Sequence, residues 1–262
     1  MILSAGPGEQ SRIYRTTDGG GSWRLSWLNP EPAGFYDCLD FWDECRGVAY
    51  GDAVDGGLRI LLTEDGGQSW RMVDPGRLPP PAGSEGGFAA SGTCVATGAG
   101  GRAWIGTGAG DRARVLHTDD YGATWRAFDL PIVAGDVAGA FTVAFADADT
   151  GYVLGGDLSE ADTFTANAVQ TADGGATWRL VGSPPFPGAV YGSAILTIGR
   201  STLLLAAGPN GLASSADAGA GWTLLDDRSF WAVGAAGATA WTVGPQGRIV
   251  QLNWSEEGGT TS

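Results

Sequence analysis

The chain has 262 residues, of which 15 are basic and 29 acidic, for a net charge of -14. Such a field repels a phosphate backbone and argues against nucleic acid as a partner, and no apolar run approaches the roughly 20 residues of a membrane-spanning helix. With 43% hydrophobic residues and 45 glycines between short apolar runs, the composition points to many short strands around a sizeable core and excludes a disordered chain.

Taken in chain order, one eight-residue stretch recurs five times. It reads T-T-D-G-G-G-S-W from Thr16, T-E-D-G-G-Q-S-W from Thr63, T-D-D-Y-G-A-T-W from Thr118, T-A-D-G-G-A-T-W from Thr171 and S-A-D-A-G-A-G-W from Ser215. All copies fit (S/T)-x-D-x-G-x-(S/T/G)-W without a gap. The carboxylate can accept backbone N–H groups, the glycine can take φ > 0 and the hydroxyl can close a hairpin, so the motif predicts a tight turn. The tryptophan then opens the next strand and packs back on the turn, its indole N–H requiring a partner. The structural residues are Asp18 and Trp23, Asp65 and Trp70, Asp120 and Trp125, Asp173 and Trp178, and Asp217 and Trp222. The motif is similar to the Asp-box, and the chain resembles the Asp-box (BNR-type) β-propellers.

The copies recur at roughly fifty-residue intervals, the size of one four-stranded blade. With strands named A (innermost) to D (outermost), each motif is a C–D turn. Segments 1–5 and 12–16 read as strands B and C of a first unit. The second unit has strands over 36–42, 47–51, 58–63 and 70–73, and the third over 88–97, 102–106, 113–118 and 125–128. The fourth has 140–146, 152–155, 168–171 and 178–181, and the fifth 191–198, 202–206, 212–215 and 222–225. Segments 230–234, 239–244 and 248–254 read as A, B and C of a sixth. The expectation is an all-β propeller with no helix longer than a turn. It forms one domain over 1–254, with units at about 1–28, 35–74, 88–130, 139–182, 190–226 and 230–254, and a polar tail at 255–262.

The first unit lacks an inner strand and the last an outer one, so the ring is expected to be incomplete, lacking a seventh blade at the N-terminal side. Its two flanks would expose Ile2, Leu3, Ile13, Trp231, Val233 and Trp241 and favour self-association. Propeller geometry puts A–B and C–D turns on one face and the longer D–A and B–C loops on the other. The second face carries the candidate binding residues Tyr36, Asp37, Asp52, Asp55, Glu85 and Asp157, offered to a protein or glycan partner.

Other motifs carry less. The aspartate turns lack the carboxylate spacing of a calcium loop. The G-x-G-x-x-A at 98–103 runs into a β segment where a dinucleotide site needs a helix. His117 reads as a strand residue packed beside its blade. Three cysteines with no C-x-x-C read as buried thiols, not as disulfides or a zinc site. No metal, cofactor or catalytic residue is expected. The alternative is a sialidase-like or other glycoside hydrolase, with an acid pair among the residues named above. A sialidase needs three arginines converging on a carboxylate. Here Arg24, Arg71, Arg126 and Arg179 each directly follow a motif tryptophan, on outer strands, and the family's F-R-I-P segment is missing.

Phe35-Tyr36-Asp37, Gly51-Asp52-Ala53-Val54-Asp55-Gly56, Phe88-Ala89-Ala90-Ser91 and Gly155-Gly156-Asp157 resemble a group of bacterial Asp-box propellers related to photosystem II stability and assembly factors. The group is often labelled oxidoreductase or glycosyl hydrolase. The resemblance implies a non-catalytic scaffold, commonly exported or periplasmic, with seven blades. Against that resemblance, this chain is expected to lack an export signal and the further N-terminal blade at its start.

Overall fold

A computed structural model describes residues 1–199, 201–254 and 260–261. The five repeated motifs close into one kind of hydrogen-bonded turn. In the first, the Thr16 hydroxyl donates to Asp18 Oδ1 (2.8 Å) and accepts from the Gly20 N–H (2.9 Å). Asp18 in turn accepts the Ser22 N–H (2.9 Å) and hydroxyl (2.6 Å). The same set recurs around Asp65, Asp120 and Asp173. In the fifth, Gly221 has no hydroxyl, and only its N–H reaches Asp217 (2.7 Å). These bonds hold the carboxylates in their ionised form, pulling Asp65 and Asp173 down to about 2.

Between the turns run six antiparallel sheets. The first has three strands, Ile2–Ser4, Arg12–Arg15 and Arg24–Leu28. The second is Tyr36–Phe41, Gly47–Val54, Gly57–Thr63 and Arg71–Met72. The third is Val95–Gly98, Arg102–Thr107, Arg114–Thr118 and Arg126–Asp129. The fourth is Ala138–Phe145, Gly151–Asp157, Ala168–Thr171 and Arg179–Leu180. The fifth is Gly192–Ile198, Ser201–Gly208, Gly211–Ser215 and Thr223–Asp226. The sixth is Ala232–Ala236, Thr239–Gly244 and Arg248–Trp254, closed by Thr260–Thr261. The helices are single 3-10 turns, as at Gly8–Gln10 and Pro75–Arg77.

The expected strands need correction at two places. The sixth sheet does not end at strand C, because Trp254 pairs with Thr260 and Asn253 with Thr261. The rest of the expected polar tail, 255–259 and 262, lies outside the described residues. Strand A of the third sheet begins at Val95, not at 88. The preceding segment crosses to the fourth sheet: Val143 donates to the Thr93 carbonyl (2.9 Å), and Phe88 packs on Phe141 (3.8 Å).

In the second, third and fourth sheets the C–D turn meets the A–B turn of the same sheet, Gly66 donating to Cys45 (2.7 Å), Tyr121 to Gly101 (2.9 Å) and Gly174 to Asp149 (2.9 Å), so these turns share one face. Side chains alternate across each sheet and fill five apolar clusters, one between each successive pair of sheets. Among the described residues no strand of the sixth sheet packs against the first as neighbouring sheets do. Both end flanks are therefore open. One presents Ile2, Leu25 and Leu28, the other Trp231, Trp241, Val243 and Ile249, all exposed. Ile13 and Val233 depart from the expectation: both are buried, since each points inward to its neighbouring sheet, and Leu3 is half-buried for the same reason.

The tryptophans record this arrangement. Trp125 is 7% exposed and Trp23 is 41% exposed. Trp70 and Trp222 donate to Ser26 and Gly182 at the outer edge of the preceding sheet, whereas no sheet precedes Trp23. Trp125→Ala is expected to cost about 3–5 kcal/mol in urea unfolding and Trp23→Ala less than about 1 kcal/mol. Equal losses would mean that the ring at Trp23 is covered in solution.

Candidate functional site

On the opposite face, the D–A loops run over the B–C ends of the strands. Strands A and B of the second sheet each carry a register shift there, one at Asp37 and one at Asp52 and Ala53. An extra residue turns its side chain out of the ordinary alternation, and here the two shifts aim both carboxylates at segment 82–88. Gly87 donates its N–H to Asp52 (2.9 Å), and Ala53 donates to the Glu85 carbonyl (2.9 Å). A Cβ on Gly86 would lie 2.2 Å from Asp52 Oδ1, and one on Gly87 2.7 Å from Asp37 Cγ. Only glycine lets the backbone rest on the acids.

Asp37 and Asp52 both abut the Gly86–Gly87 backbone, and the charge of each bears on the titration of the other. Asp37 is shifted the more. Burial, and then the charge of Asp52, raise its carboxyl well above the usual range. Burial also raises Asp52, but the Gly87 N–H and then the neighbouring Asp37 favour its ionised form. Oδ2 of Asp37 and the hydroxyl of Tyr50 are buried without hydrogen-bond partners. The stability linked to Asp37 is complete below the ordinary carboxylate pKa and is lost as pH rises through the elevated one. Asp37→Asn keeps the shape of the side chain and removes that titration. The variant is expected to match the parent near pH 4 and to be more stable by about 1–3 kcal/mol at pH 8. A parallel pH dependence in the two proteins would show that Asp37 is ionised in the fold.

Glu85 lies deeper. It is 0% exposed and forms a two-pronged ion pair with Arg114, Nε to Oε1 at 3.1 Å and Nη2 to Oε2. It also accepts the Thr107 hydroxyl and the Ala82 N–H (2.8 Å), while Arg114 reaches the Pro80 carbonyl (3.0 Å). The second sheet repeats the device, with Arg59 donating to both oxygens of Glu31 at 2.7 and 2.8 Å. These arginines clamp the incoming D–A loop, a role that sequence reasoning missed. A signal was present: an arginine stands four residues before the repeated motif at Arg12, Arg59 and Arg114.

Of the remaining candidates, Tyr36 is buried edge-on against Trp27 (4.7 Å), and burial raises its hydroxyl pKa. Asp55 is exposed at φ 49 in the two-residue hairpin before Gly57. Asp157 stands in the fourth sheet, bracing the Ser159 N–H (2.8 Å) and hydroxyl (2.6 Å). The structure thus brings Asp37, Asp52 and Glu85 around one segment and leaves Asp55 on an exposed turn and Asp157 half-buried at the end of a strand of the fourth sheet. Arg24, Arg71, Arg126 and Arg179 each begin the outermost strand of a different sheet and are exposed, with Arg71 paired to Glu64 and Arg126 to Asp119. His117 stacks on Trp104 (5.4 Å), and burial lowers its pKa, so it is a neutral packing residue.

The cysteine expectation is overturned. Cys38 and Cys94 form a disulfide, with Cα atoms 6.0 Å apart, and Cys45 alone is free and exposed. The crossing of segment 88–94 toward the centre sets Cys94 beside strand A of the preceding sheet, a proximity that sequence spacing does not reveal.

No family model and no curated protein matches the chain. Solved structures do. YCF48 bound to a D1 peptide aligns with TM-score 0.53 and 16% identity, over 83% of this chain and 63% of that one. An ancestral GH74 enzyme aligns with TM-score 0.64 and 13% identity, over 95% of this chain and 34% of its own. A nidogen/laminin complex aligns with TM-score 0.58 and 14% identity, over 96% and 88%. The chain thus spans under two-thirds of the length of the first two. At such identities the likeness is one of fold, and the fold is an all-β propeller.

Proposed function

We propose that this protein is a non-catalytic propeller scaffold of the Asp-box type that binds a protein partner, in the manner of an assembly or stability factor. The carrying observation is the state of its acids. A glycoside hydrolase needs two carboxyl groups about 5–10 Å apart with space between them. Here Asp37 and Asp52 are covered by the Gly86–Gly87 backbone, and Glu85 is buried and bound by Arg114. The D1 peptide on YCF48 and the nidogen/laminin complex support a protein partner over a glycan. The Cys38–Cys94 bond supports an oxidising compartment, hence export. The test combines hydrolysis of aryl sialosides and aryl glycosides with capture of partners by the full-length protein. Background hydrolysis and a specific protein partner are expected. Turnover abolished by Asp52→Asn or Glu85→Gln would overturn the scaffold reading in favour of the hydrolase.

The open flanks favour a second contact of the same kind, between copies. Trp241, Val243 and Ile249 lie side by side on strands B and C of the sixth sheet, with Val243 paired to Ile249. They continue the face that, in earlier sheets, receives the next sheet. Concentration-dependent association weakened by Ile249→Arg is expected in sedimentation velocity. A monomer at all concentrations would remove this contact.

A further inference from the structure

We propose that the long B–C loop of the fourth sheet, residues 158–166, together with 136–137, docks a basic peptide segment that also carries an apolar side chain. The proposal rests on the protein-binding reading and gives it a surface and a partner class. Charge is the first observation. The chain contains no lysine, and no arginine occurs between Arg126 and Arg179. Asp136, Asp157, Glu160 and Asp162 fall within that interval, and among the described residues none of them has an arginine partner. A guanidinium or ammonium group offered from outside finds carboxylates that no arginine among the described residues pairs with.

The second observation is apolar. Val137 is 42%, Leu158 42% and Phe164 64% exposed. The loop is nevertheless tied down. Leu158 donates to Val137 (3.1 Å), Val133 to Ala166 (3.2 Å), Gly188 to Thr163 (2.9 Å), and the Asn210 side chain to Ala161 (2.8 Å). A tethered loop that holds Phe164 outward has little ordering left to lose on binding, and an aromatic anchor among desolvating neighbours is the usual hot spot of an interface. At the root of the loop, Asn167 is 3% exposed and donates to the Gly188 carbonyl (3.3 Å), yet its Oδ1 lacks a donor. By contrast, the B–C connection of the fifth sheet is a tight hairpin from Gly208 to Gly211, and that of the second runs from Val54 to Gly57. The fourth sheet alone among these three extends a loop at this place.

The test uses the intact protein and a fluorescein-labelled synthetic peptide with three arginines and two leucines, read by anisotropy at low and moderate salt. An all-arginine peptide and an acidic counterpart serve as controls. Binding of the arginine-leucine peptide that weakens with salt is expected. Asp136→Asn with Asp162→Asn leaves the bracing bonds of Asp157 and Glu160 intact and should weaken binding about fivefold or more, from roughly 0.5–1 kcal/mol for each exposed ion pair. Phe164→Ala should weaken it about as much without altering the salt dependence. Glu44→Gln with Asp227→Asn removes the same charge elsewhere and should change nothing. No binding, equal loss in that control pair, or equal affinity for the all-arginine peptide would overturn the proposal. Glycoside turnover is measured separately, so failure of the scaffold reading and failure of this surface give different results.

Discussion

Glu85→Ala is expected to destabilise the protein by about 3–5 kcal/mol, because it leaves the Arg114 guanidinium buried without its counter-charge. Arg114 is 6% exposed, and its remaining acceptor is the Pro80 carbonyl. The substitution also strips the Thr107 hydroxyl and the Ala82 N–H of their shared acceptor. Glu85→Gln should cost less, since the amide keeps an acceptor and the shape of the side chain. The double change Glu85→Leu with Arg114→Met should recover much of the loss, because replacing both ions by apolar groups removes the desolvation penalty along with the attraction. Urea unfolding of the three variants checks this. If Glu85→Ala melts like the parent, the carboxylate is solvated and open to a ligand, and the loop clamp is not what holds segment 82–88.

The architecture was legible because the propeller repeats itself. Five copies of a hydroxyl, a carboxylate and a glycine at fixed positions specify a local turn, and local hydrogen bonds need no tertiary information. The alternation along 239–244 likewise marks which side chains face the next sheet, with Ala240 and Thr242 inward and Trp241 and Val243 outward. The candidate face was far less legible. Asp37 and Asp52 meet only because two register shifts occur opposite each other, and register shifts leave no mark in an apolar pattern. Glu85 looked like a loop acid, since its partner Arg114 lies 29 residues away in another strand. The recurring arginine before the motif could have exposed that clamp, but an arginine gains that meaning only when the preceding loop supplies a glutamate. Strand A of the third sheet was misjudged for a related reason. Segment 88–94 has strand-like composition but finds its partners on the fourth sheet, where Thr93, Thr142 and Ser193 link their hydroxyls at 2.7 and 2.9 Å.

Loss of the Cys38–Cys94 bond is expected to cost about 4 kcal/mol, the chain-entropy value for a closed loop of this length. The two cysteines are separated by 56 positions, and the bond ties the inner strand of the second sheet to the start of the inner strand of the third. Both side chains sit in one apolar cluster with Tyr50, Ile60, Ile105 and Trp125, so the crosslink spans the seam between two sheets at its most buried level. Cys38→Ser with Cys94→Ser, or the parent in reductant, should unfold at correspondingly lower urea, and melting should fall by roughly 10 °C for a chain of this size. Cys45→Ser should change neither, because that thiol is exposed and free. Thiol titration in denaturant separates the outcomes: oxidised protein should show one reactive thiol and reduced protein three. Three reactive thiols in protein prepared under oxidising conditions would refute the bond. Unchanged stability after its verified reduction would mean that packing alone holds the seam.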